Sequence, residues 1–303
     1  VLVDSNAFVQ GNAGDAVELT GDRAFVILNS LATVNDLSFN LGNSGATGPV
    51  LMALNGGTLT NNNAANTISL SGNSVRLVIT DGGQLTTAST VSISGNNALF
   101  ELSGGGRIVA APNLTGPLVQ GGSSNERFVL HGRMIGRDTG GTIAYLDAGD
   151  GDDTVVISSR TELTELNTAI PAASALSIKG GAGFDTLEGD GGFGDGQIRF
   201  STTDFERLHL YGGANWQIEG SHAFFCASVP CLTMECRPKM LMCTVEQAAN
   251  APAECATSCI MIAASVTPSP APPYSSGIAI PSQPPSAIAL ANSNGKACAL
   301  SFS

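Results

Sequence analysis

The sequence predicts an all-β fold, a right-handed parallel β-helix (β-solenoid), followed by a disordered, non-repetitive C-terminal tail. Turns recur at a near-regular interval: G-G-T-L-T starts at 56, G-G-Q-L-T at 82 and G-G-R-I-V at 105, while S-G-N starts at 71 and again at 94. Successive copies are thus 26 or 23 residues apart, the period of a stacked β coil. With 37 glycines, 5% aromatic and 13% charged residues, the 303-residue chain departs from an ordinary globular enzyme toward a repetitive β protein. All seven cysteines lie beyond residue 225 and ten of the fourteen prolines beyond 229, so the chain divides into a repetitive body, 1–222, and a Cys/Pro-rich tail, 223–303.

In order along the chain, A-V-E-L-T, A-F-V-I-L and D-L-S-F-N-L read as short strands between Gly, Asn and Asp turns. From 56 to 110, groups such as V-R-L-V-I (75–79) and A-L-F-E-L (98–102) alternate apolar with polar residues, which buries one face of each. One coil cannot bury its inward side chains alone; stacking coils builds a continuous core column. Residues 112–145, with Pro112, Pro117 and the cations Arg127, Arg133 and Arg137 around His131, read as a less regular loop region between coils. The segment 159–166 reads as a short helix, because Leu163 and Leu166 share a helical face and Pro171 would end it. From Thr203 to Gly220 strand text returns, with Leu208, Leu210, Trp216 and Ile218 as inward or stacked residues.

A formal charge of −12 argues against nucleic-acid binding, which needs clustered Lys and Arg, but suits divalent cations. No apolar run approaches the roughly 18 residues of a membrane-spanning helix. The chemically specific stretch is 146–196. It contains A-G-D-G-D-D-T-V (148–155) and G-G-A-G-F-D-T-L (180–187), tight glycine turns that leave carbonyls and aspartates pointing into one space. Such oxygen-rich turns suit calcium, with Asp150, Asp153, Asp185 and Asp190 as ligands.

The G-G-x-L-T turns, D-A-G-D-G-D-D-T-V, G-G-A-G-F-D-T-L and F-E-R-L-H-L-Y-G-G-A-N-W-Q-I-E-G-S together resemble the passenger regions of bacterial autotransporters. The resemblance covers about residues 1–222. It implies a secreted or surface-displayed, non-enzymatic β-helix that meets a host-surface, matrix or glycan ligand, tied in the full-length protein to an outer-membrane barrel. No barrel-like run of strands ends this chain. The two acidic turns resemble the nonapeptides of haemolysin-type toxins, which implies calcium, although Asp153 and Asp185 are 32 residues apart, too far for a regular calcium roll.

In the tail, the spacings C-x4-C-x4-C-x6-C and C-x3-C lack the C-x2-C knuckles of zinc ribbons, and seven thiols cannot all pair. The abrupt loss of repeat text after Phe224 favours a tail translated out of frame; sequencing the gene through codons 220–230 tests this, since another frame should restore β-repeat text. Two alternatives to a display role stand. One is a β-helical polysaccharide-degrading enzyme using Asp204 with Glu206, or Asp150 with Asp153, as paired carboxylates. The other is a calcium-triggered folding module. No G-x-S-x-G or G-D-S-G segment presents a serine nucleophile.

Overall fold

In a computed structural model, the described residues are 1–211 except positions 5, 13, 22, 44, 46, 113, 115 and 199 and segments 137–142 and 166–175. Beyond 211 they are the strands 216–218, 220–226, 229–236, 243–247, 289–291 and 297–299, as backbone only. Three parallel sheets run the length of the body: a first face of nine strands, a second of seven, and a third that begins with nine parallel strands in an eleven-stranded sheet. A regular coil contributes one strand to each face, as in Val75–Thr80, Gln84–Thr87 and Val91–Ser94. The chain is an all-β parallel β-solenoid. Among the described residues the exception to strand and turn is one 3-10 turn, Gly191–Phe193.

The period-two text buries one side of each strand, and the in-register stacking turns those side chains into columns. On the first face Val26, Met52, Leu77, Phe100, Phe128, Val155, Leu187 and Leu208 follow one another coil by coil. On the second, Val34, Leu59, Leu85, Ile108, Met134 and Leu163 do the same. These columns close into one apolar core, and each strand's backbone finds its partners on the coils above and below, about 4.8 Å away.

Two sequence expectations are corrected. Residues 112–145 are not simply a loop region: Arg127–Leu130, Arg133–Gly136 and Ile143–Asp147 form a regular coil. The expected helix at 159–166 is instead a second-face strand, Glu162–Glu165, paired with Arg133–Gly136. T-E-L-T-E fits period two as well as it fits a helix, and Leu163 stacked on Met134 completes an apolar column, so the neighbouring coil decides. Leu166 and Pro171, used to define that helix, and Arg137 lie outside the described residues.

Coil lengths vary at two corners, from the third face to the first, where seven residues separate Gly42 from Val50 and one separates Phe205 from Arg207, and most widely from the second face to the third. Between the second and third faces, two residues separate Asn35 from Ser38, whereas ten separate Glu165 from Leu176. Between the first and second faces the link is short throughout, as in Asn55 to Thr58 and Leu130 to Arg133. The last strand of the second face is Glu162–Glu165; in the following coil Gly196–Ile198 pairs instead with Trp216–Ile218 in a separate two-stranded sheet. The third sheet then changes sense: Gly220–Cys226 pairs antiparallel with Val229–Cys236, which pairs antiparallel with Cys243–Gln247. The switch coincides with the first cysteine. The reading of 223–303 as a disordered, out-of-frame tail falls mostly on residues outside those described, as do the side chains of Trp216 and Ile218. No helix among the described residues is long and apolar enough to cross a membrane.

Candidate functional site: a buried carboxyl column

One column of the solenoid changes character halfway along. The position just before each first-face strand is Ala98, Glu126, Asp153, Asp185 and Glu206 in successive coils, one residue ahead of the pairs Leu99–Arg127, Arg127–Thr154, Thr154–Thr186 and Thr186–Arg207. In earlier coils the same position is Ala24, Val50 and Val75, all buried. The column is therefore apolar in the first half of the rod and acidic in the second. Glu126, Asp153 and Asp185 are 2%, 1% and 0% exposed, so the acids occupy positions that would ordinarily be core.

Local backbone demand explains the acids. Each carboxyl accepts the backbone N–H of the column residue one coil earlier: Asp153 Oδ1 from Glu126 at 2.7 Å, Asp185 Oδ1 from Asp153 at 2.8 Å, and Glu206 Oε2 from Asp185 at 2.6 Å. At the head of the series Glu126 Oε1 accepts the Gly95 N–H at 3.2 Å. The glycine turns make this geometry possible. Gly149 and Gly181 hold φ of 104° and 115° and stack so closely that a Cβ on Gly181 would stand 1.7 Å from the Gly149 carbonyl oxygen. A second, outer ladder runs beside the first: Asn125 Oδ1 accepts the Asp152 N–H and Asp152 Oδ1 accepts the Phe184 N–H, both at 2.9 Å.

The second oxygens are a different matter. Glu126 Oε2, Asp153 Oδ2 and Asp185 Oδ2 are buried and have no hydrogen-bond partner, which is costly for an ionised carboxylate. Burial accordingly raises all four groups: Asp153 is pushed up to about 8 and Asp185 to about 7, with Glu126 and Glu206 also raised. Bonds from backbone N–H groups act the other way and are outweighed.

Of the four aspartates expected to bind calcium, the structure brings Asp153 and Asp185 together on successive coils. Asp150 is exposed, and its backbone bridges to Ala182. Asp190 sits at the other end of its strand, where Oδ1 caps the Gly191–Phe193 turn through the Gly192 N–H at 2.8 Å and Oδ2 lies 3.9 Å from His131 Nε2. The four are not one ligand set, and among the described residues no group of three His, Cys, Asp or Glu is arranged to hold a metal ion. Glu126 escaped sequence reasoning, and Glu206 entered it only as a possible catalytic partner of Asp204, because N-E-R-F and D-F-E-R carry no glycine-aspartate signature; aligning the acid that precedes each first-face strand would have placed both in the column.

The cationic cluster is also dispersed. Arg127 pairs with Glu188 at 3.1 Å on the first face and Arg133 with Glu162 at 3.0 Å on the second. His131 packs edge-on against Phe193, with ring centroids 4.7 Å apart, and burial lowers its pKa despite Asp190. Arg160 lies over the Phe193 ring, 4.5 Å from its centroid. These contacts pin the short turn across two coils. As for the paired carboxylates of the enzyme alternative, Asp153 is out of a polymer's reach and Glu206 is committed to the Asp185 amide. No family model, no curated protein and no solved structure matches this chain.

Proposed function

We propose that this chain is a rod segment of a secreted or surface-displayed, autotransporter-like passenger that serves display or adhesion rather than catalysis. The observation supporting this reading is the unbroken stack of first-face strands from Leu2–Val3 to Arg207–Tyr211. Such a stack sets outward side chains in straight columns, for example Asn35, Thr60 and Thr86 on the second face. Columns repeating about every 4.8 Å make a flat, polar, many-point surface suited to an extended partner such as a glycan or matrix polymer. A body without cysteine fits folding outside the cytoplasm without a thiol to mispair.

The test is incubation of the protein with a panel of acidic glycans and matrix proteins, reading both retention and polymer length. Retention with the polymer intact is the expected result. Rapid depolymerisation would replace this reading with the polysaccharide-degrading one.

A further inference from the structure

We propose that the carboxyl column Glu126–Asp153–Asp185–Glu206 is held by protons rather than by a metal, and that these protons zip the late coils of the rod together. The resemblance to calcium-binding turns calls for aspartates converging on a cation, but the turns instead stack their acids in line, each spending one oxygen on the coil before it. What remains is a set of buried oxygens, Glu126 Oε2, Asp153 Oδ2 and Asp185 Oδ2, that find no donor. The Glu126 and Asp153 carboxyls interact directly, acceptor against acceptor when both are ionised. A proton on one of them supplies the missing donor and turns that repulsion into a hydrogen bond.

Among the described residues, the charged groups acting most strongly on Asp153, Asp185 and Glu206 are all carboxylates. Asp153 feels Glu126 and Asp185; Asp185 feels Glu206, Asp152 and Asp204; Glu206 feels Asp204 and Asp152. The arginines next in sequence are engaged elsewhere, Arg127 with Glu188 and Arg207 over the Phe184 ring.

The direction of the pH dependence follows from the raised carboxyls. Their contribution to stability is complete below the unfolded carboxylate range near pH 4 and is lost as pH climbs through about 7 for Asp185 and about 8 for Asp153. Mild acid should therefore tighten the late coils and alkali should loosen them.

Three measurements on the full chain test this. Melting between about pH 5 and pH 9, in chelator, should show Tm falling by roughly 5–15 °C as pH rises. Unfolding near pH 6 should release about two protons from the column, less the fraction of one that His131 takes up, counted by calorimetry in buffers of different ionisation enthalpy. The double variant Asp153→Asn/Asp185→Asn keeps an acceptor at each position and cannot titrate there, so its Tm should lose most of that slope. Proton release near zero overturns the proposal whether or not the variant folds. So does a rise in Tm at neutral pH, on adding millimolar calcium in place of chelator, as large as the acid effect; that result would restore the cation.

Discussion

Phe128 stands between Phe100 and Val155 in the first-face column and is fully buried. Truncation there removes contacts that neither neighbour can recover, because a parallel stack fixes both partners' positions. Phe128→Ala should therefore cost about 3–5 kcal/mol in chemical denaturation, at the high end for its type. Gly181 makes the complementary case, where adding one carbon is the injury. A methyl group there meets the Gly149 carbonyl, and the positive φ is itself unfavourable to alanine. Gly181→Ala should cost roughly 2–4 kcal/mol, against less than about 1 kcal/mol for Arg127→Ala, whose ion pair with Glu188 is half exposed. Measured together, the three substitutions ask whether packing or surface charge holds the rod, and packing is the expected answer.

At the scale of elements, the Gly191–Phe193 turn and the carboxyl column respond to pH in opposite senses. The His131 pKa is lowered, mainly by burial, so its contribution is present above its ordinary range near 6.5 and is lost as pH falls below it. His131→Gln should leave the alkaline limb of a Tm–pH profile in place and blunt any decline on the acid side. Backbone exchange at 191–195 is the local readout. The strands themselves were legible in sequence wherever turn and alternation agreed: G-G-Q-L-T and V-R-L-V-I point to Gln84–Thr87 and Val75–Thr80 without help. T-E-L-T-E was not legible, because period two and period 3.6 coincide over so short a run and only Met134 in the preceding coil separates them. The site was half legible for a related reason. Asp153 and Asp185 announce themselves through their glycine turns, while Glu126 and Glu206 acquire meaning only from the register between coils, which no single coil encodes.

For the molecule as a whole, stacking makes stability a sum over neighbours, so one weakened interface divides the rod rather than unfolding it uniformly. The apolar column at Ala24, Val50, Val75 and Ala98 gives way to the acidic one at Glu126, which marks where such a division would fall. Hydrogen exchange near pH 9 should accordingly show the strands after Arg127–Leu130 losing protection before those ahead of Leu99–Leu102. Equal loss along the whole length would mean that the two halves melt as one.

The corner between the second and third faces, where links run from two residues to ten, carries a practical consequence. It is an addressable edge: foreign peptides written into it at successive coils would stand in a row, like teeth on a comb, at a pitch set by the strand spacing rather than by any linker. Ala64 and Ala65, exposed between Asn61 and Ile68, are a first place to write. A ten-residue Gly/Ser insert there should lower stability by only about 1 kcal/mol, since loop closure grows slowly with length. The same insert between Asn55 and Thr58, where the link is short in every coil, should break the stack.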